Sequence, residues 1–206
     1  MPTIGQLVAQ ITSSANVSPQ AMTAHVRALR KSGLIPHTPE ETVTVDHAIW
    51  LLLSLLGGSV RRAREIAQLV NSLQTLNDVF LNDGDSEIHV FDGLRDVINF
   101  RRTGAGLIAG DFRLAESSEA FSATICTRSA VPDGGEVFWN LAFGRPMALG
   151  EPSPALWRLA VASPAMIDDI AGLFGPLAML TEPLRWVGAD QAPPAAAAAY
   201  HANTVH

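Results

Sequence analysis

Apolar positions recur at helical spacing twice within the first 33 residues. Ile4, Leu7, Val8 and Ile11 fall at i, i+3, i+4 and i+7, which predicts a short helix with one apolar stripe. Ser14 to Val17 carry turn chemistry. Ser18 and Pro19 then open a second helix, the serine as N-cap and the proline at the first helical position, where an N–H lacks a helical partner anyway. Met22, Val26 and Leu29 form its inward face. Gly33 supplies the left-handed position that stops it, and Leu34 folds back onto it. A third helix, Asp46 to Leu56, is capped by Thr44 or Asp46 and is apolar nearly all round, so it belongs in a core or a subunit interface. Gly57-Gly58 breaks it, and Ser59 caps a fourth helix expected to run to about Phe80.

The pattern then changes. The polar stretch Asn82 to Glu87 reads as a linker, and its D-x-D spacing lacks the remaining ligands of a calcium loop. Ile88–Phe91 is expected as a short strand, followed by a helix from Asp92 to about Arg102 with Leu94, Val97, Ile98 and Phe100 inward. Strand-like runs follow at Phe112–Glu116, Ala120–Arg128, Val137–Phe143 and Ala155–Ala162. Val131–Gly135 reads as a hairpin loop, and Val137, Trp139, Leu141 and Phe143 share one strand face. Ser163-Pro164 repeats the cap-plus-proline device and starts a helix through about Leu173. The fold class expected is α+β: an N-terminal helix-turn-helix four-helix domain, then a small antiparallel sheet with flanking helices on one face. The corresponding division is a DNA-binding domain at 1–81, an oligomerisation or partner-binding module at 88–187, and a disordered Ala/Pro-rich tail at 188–206.

Composition narrows the class. The chain has 206 residues, 48% hydrophobic and 17% charged, enough to fold around one good core or two small ones. Its longest apolar run, Ala48–Leu56, is interrupted by Ser54 and falls short of a bilayer span, and no export signal is expected at the amino end. The lone Cys126 allows no internal disulfide and suits a reducing cytoplasm. Charge is uneven: residues 1–80 carry six Lys/Arg against five Asp/Glu, net +1, and residues 81–206 carry eight against fifteen, net −7. Any contact with nucleic acid must therefore lie at the amino end.

Catalytic constellations are scarce, and the chain is read as a non-enzyme without metal or cofactor. Gly104-A-Gly106-LI-Ala109 matches a dinucleotide fingerprint, but Gly110 and a strand-like run follow where a helix is required, so a turn is expected. The six histidines are scattered, none with a partner at ligand spacing. Cys126 sits on a strand without an adjacent base and reads as a packed side chain.

The chemistry concentrates on the second helix. Gln20, Thr23, Ala24, Arg27 and Lys31 share its outer face, Arg30 lies beside it, and no acid occurs between Ser18 and Gly33. A merely solvated helix usually interleaves glutamate with lysine. Amide, hydroxyl, methyl and guanidinium groups are instead the types that meet base edges and phosphates. The predicted site comprises Ser18, Gln20, Thr23, Arg27, Arg30 and Lys31, with Arg61, Arg62 and Arg64 as further phosphate or carboxylate contacts. An acidic protein is the alternative partner of this basic helix. The segment Pro36–Val45 is too short for a two-stranded wing, and Glu40 and Glu41 are poor neighbours for phosphates. So few cations imply weak binding by a monomer, hence a homodimer or larger assembly, held by the third helix or the Val137–Phe143 face.

Through VSPQAMTAHVRALRKSGLIP and VTVDHAIWLLLSLLG, the first 80 residues resemble phage- or prophage-encoded helix-turn-helix proteins with two further helices and a compact α+β module. Pro39-Glu40-Glu41 departs from the basic or glycine-rich loop common there. The resemblance implies binding of double-stranded DNA in a cytoplasmic setting, as a transcriptional regulator or, alternatively, a small terminase-like packaging protein.

Overall fold

Local capping signals and one shared core build the chain. The structure, a computed structural model, describes residues 1–71, 73–75, 89–103, 107–116, 121–130, 136–144 and 158–177. The linker at Asn82–Glu87, Gly104–Gly106, the hairpin loop Val131–Gly135 and the tail at 188–206 lie outside the described residues. The fold is α+β, with helices α1 (Ile4–Ser14), α2 (Pro19–Lys31), α3 (Val45–Leu56), α4 (Ala63–Asn71), α5 (Val90–Arg102) and α6 (Pro164–Leu173). The strands are β1 (Gln74–Thr75), β2 (Leu107–Glu116), β3 (Phe121–Ala130), β4 (Glu136–Gly144) and β5 (Arg158–Ala162). They form one antiparallel sheet in the order β1-β4-β3-β2-β5. No helix among the described residues is long and apolar enough to cross a membrane.

One face of the sheet carries Phe112, Leu114, Ala123, Ile125, Phe143 and Ala162, all buried. Register aligns them, with Phe112 opposite both Ile125 and Ala162, and Ala123 opposite Phe143. They join the buried side chains of α1 through α6 in a single cluster, so helices and sheet share one core. The other face holds Asp111, Arg113, Thr124 and Cys126, and at the β5 edge the exposed Leu159 and Val161.

Of the two places expected for α3, a core or a subunit interface, the structure shows the core. Every α3 residue from Val45 to Leu56 is buried except Asp46, His47, Trp50 and Leu55, which are partly so; the helix is spent inside one chain. On the β4 face, Phe143 is fully buried in the shared core.

Three boundaries differ from expectation. After Gly58 the chain makes a 3-10 turn at Val60–Arg62, and α4 ends at Asn71, where the apolar spacing had carried the helix to Phe80. Gln74 and Thr75 are pulled into the sheet by pairing with Gly144 and Phe143. In place of a strand at Ile88–Phe91, His89 is the N-cap of α5 and the helix starts at Val90. Finally β2, expected as the five-residue run Phe112–Glu116, begins at Leu107 and takes in Gly110 from the stretch read as a turn.

Salt bridges fasten the seam between the first helices and the sheet. Glu116 at the end of β2 accepts from Arg62 (3.4 Å) and Arg158 (3.1 Å), and Arg158 also donates to the Leu56 carbonyl at the C-terminus of α3 (2.7 Å). Gly58 (φ +69°) permits this approach: a Cβ there would stand 2.4 Å from the Arg158 guanidinium. On α5, Arg95 clamps Asp46 of α3 in a bidentate pair (2.7 and 3.1 Å) and lies over Phe91, whose ring meets Trp50.

Candidate nucleic-acid interface

The helix-turn-helix is built by caps at both ends of each helix. Thr3 and Gln6 form a reciprocal capping box on α1, with bonds of 2.9 and 3.3 Å. Asn16, at φ +49°, occupies the left-handed position after α1, and Val17 N–H returns to the Thr12 carbonyl. Ser18 Oγ then accepts from Ala21 N–H (3.2 Å) with Pro19 at the first helical position. At the far end Gly33 (φ +70°) and Leu34 return their N–H groups to Arg30 and Leu29, a complete Schellman motif. Met22, Val26 and Leu29 are buried, which fixes which face of α2 looks outward.

That outward face is the expected one. Gln20, Thr23, Arg27 and Lys31 are exposed, and Pro19, Gln20, Thr23, Ala24 and Arg27 line one shallow depression along it. Thr23 Oγ1 donates its hydrogen to the Pro19 carbonyl (2.7 Å), so outward it offers a methyl group and an oxygen that accepts. Among the described residues no hydrogen bond or ion pair engages the side chains of Gln20, Arg27 or Lys31. The remaining predicted residues divide. Ser18 is exposed, but its oxygen serves as the cap. Arg30 is half-buried and its Nε donates to the Pro36 carbonyl (2.9 Å), closing the helix end. Arg62 is held by Glu65 (3.3 Å) and Glu116 (3.4 Å), the carboxylate alternative among its expected partners. Arg61 and Arg64 are exposed, with no partner among the described residues, on a turn and helix that pack against α2.

The segment after α2 serves α1. Its carbonyls at Glu41 and Pro39 accept from Ile4 and Gly5 (3.0 Å each), satisfying the unpaired donors that begin a helix. Thr42 bridges to Thr3, and Val43 N–H reaches Pro2. No wing hairpin forms at 36–44. Glu41 is tied down by the Thr38 backbone N–H (2.7 Å) and hydroxyl (2.9 Å), bonds that hold its carboxyl below the usual range.

One buried polar pair escaped sequence reasoning. His25 of α2 is 4% exposed, and its Nδ1 lies 2.7 Å from Oγ of the buried Ser54 on α3. Desolvation lowers the histidine's pKa, which favours the neutral ring. The signal was present: His25 falls on the stripe of Met22, Val26 and Leu29, and Ser54 is the polar interruption of α3's apolar run. The pair seats α2 on α3 directly behind the outward face. On the far side of the sheet, burial and then Asp111 push the Cys126 thiol up to about 11, so it stays protonated at neutral pH.

No protein-family model matches the chain, and no curated protein or solved structure matches it either.

Proposed function

We propose that this chain is a sequence-specific DNA-binding protein, a transcriptional regulator of the phage or prophage type acting as a homodimer or larger assembly. One observation carries the reading: α2 presents an acid-free face of amide, methyl, guanidinium and ammonium groups that the fold leaves unengaged. Gln20, Thr23 and Arg27 would meet base edges, and Lys31 with Arg61 and Arg64 would hold phosphates. Arg30 and Arg62 are assigned to the fold instead, since each already has a partner within the chain. The acidic remainder of the molecule confines the contact to this surface.

Titration with duplex DNA and with heparin over a range of salt concentrations tests the proposal. Binding that prefers duplex, and depends on its sequence, is expected; equal affinity for both polyanions at every salt would leave only generic attraction. Sedimentation with and without DNA reads the assembly: a dimer is expected for a regulator, and a ring of many subunits would favour the packaging role.

A further inference from the structure

The depression on α2 has a composition that discriminates among bases. Pro19, Thr23 and Ala24 line it together with Gln20 and Arg27, which lie toward opposite ends of this stretch of the helix. Because the Thr23 hydroxyl hydrogen is committed to the Pro19 carbonyl (2.7 Å), Thr23 has no proton to offer a purine N7 or O6. The middle of the face thus supplies methyl surface and one acceptor, whereas donors lie only at its ends. In the major groove a thymine 5-methyl is the one apolar feature of a base edge, and alanine and threonine methyls are the side-chain groups that pack against it. Gln20 and Arg27 are seven residues apart, about 10.5 Å along a helix, or roughly three base-pair steps.

We infer that this depression receives the 5-methyl group of a thymine lying between the bases met by Gln20 and Arg27. The inference rests on α2 being the element that reads DNA, and it adds what α2 reads. Gln20 suits adenine and Arg27 suits guanine as the flanking contacts.

Duplexes enriched from a random library by the full chain provide the test, with each thymine of the enriched site replaced singly by deoxyuridine, which removes the methyl and keeps the pairing. Wild type should lose about fourfold in affinity at one thymine per half-site, the factor that burial of one methyl-sized group corresponds to. Thr23→Ser keeps the hydroxyl and its bond to Pro19 but removes one of the methyls that line the depression, and Ala24→Gly removes the other; each should lower the thymine-to-uracil ratio at that position. An enriched sequence with no methyl-sensitive thymine overturns the inference and leaves the DNA-binding reading standing. A sensitive thymine whose ratio neither Thr23→Ser nor Ala24→Gly changes also overturns it, because the methyl is then read elsewhere. Failure to enrich any duplex overturns both.

Discussion

Arginines on the sheet side of the molecule and cations on α2 live in different surroundings. Arg95, Arg101, Arg113 and Arg158 each hold a carboxylate of their own chain, at distances from 2.5 to 3.1 Å. Arg27 and Lys31 are exposed without a described partner. Three of these pairs fasten elements together, Arg95 of α5 to α3, Arg101 of α5 to α6 and Arg158 of β5 to β2, whereas Arg113 and Asp111 pair within β2. On α2 the nearest sequence neighbours carry no acid, so two cations remain for a partner from outside. Arg30 and Arg62 mark the border between the two uses, one bonded to a carbonyl and the other to Glu116. Counting basic residues overstates the binding surface; counting those without an internal partner bounds it.

The largest expected effect comes from the hidden side of α2. Leu29 is fully buried, and Leu29→Ala should cost about 2–5 kcal/mol through lost transfer energy and the cavity left behind. Urea denaturation reads this directly; a cost within about 0.5 kcal/mol of wild type, the level of ordinary surface changes, would mean that the two faces have been assigned the wrong way round.

Acidification should destabilise next. Burial keeps both His25 and His47 below the ordinary histidine value, for His47 against the opposing pull of Asp46. A group whose folded pKa is depressed contributes stability that is complete above its unfolded value, about 6.5, and that is lost as pH falls below it. The urea midpoint should therefore drop between pH 7.5 and pH 5.5, and less so in His25→Gln. A midpoint that is flat or rises over this range contradicts the buried neutral pair with Ser54.

The elements that sequence located well are those fixed by local chemistry. Ser18-Pro19 with Gly33, and Ser163-Pro164, specify the caps of α2 and α6 within a few residues, and the structure uses them as read. The errors lie where a distant partner decides. Leu73, Leu76, Val79 and Phe80 continue a helical spacing, yet pairing of Gln74 with Gly144, some 70 residues away, ends the helix first. Gly110 is a poor strand residue alone, but it sits in β2 paired to Thr127 of β3. The candidate site follows the same division. The periodicity of α2 fixes its exposed face, whereas the engagement of Arg62 depends on Glu116, 54 positions along.

Glu116 offers a smaller test on the fastening side. Glu116→Gln removes the carboxylate shared by Arg62 and Arg158, both of which are about half exposed and solvent-screened. A loss of about 0.5–1 kcal/mol is expected, as for pairs near a surface. Loss of DNA affinity beyond what this destabilisation explains would show that the seam, too, belongs to the binding surface.

Smallest in stability and most telling in function is the outward face itself. Arg27→Ala with Lys31→Ala removes two exposed side chains that no described bond engages, so unfolding should shift by no more than about 0.5 kcal/mol. If both meet phosphates, the slope of log affinity against log salt should fall by about 0.9 for each. If Arg27 instead meets a base, the slope should fall by about 0.9 in total, with the remaining loss appearing as weaker preference for the enriched sequence over random duplex. Measuring affinity for both duplexes at several salt concentrations separates these outcomes. A double variant that matches wild type in affinity, slope and preference would place these two cations outside the interface and remove the distinction drawn between α2 and the paired arginines.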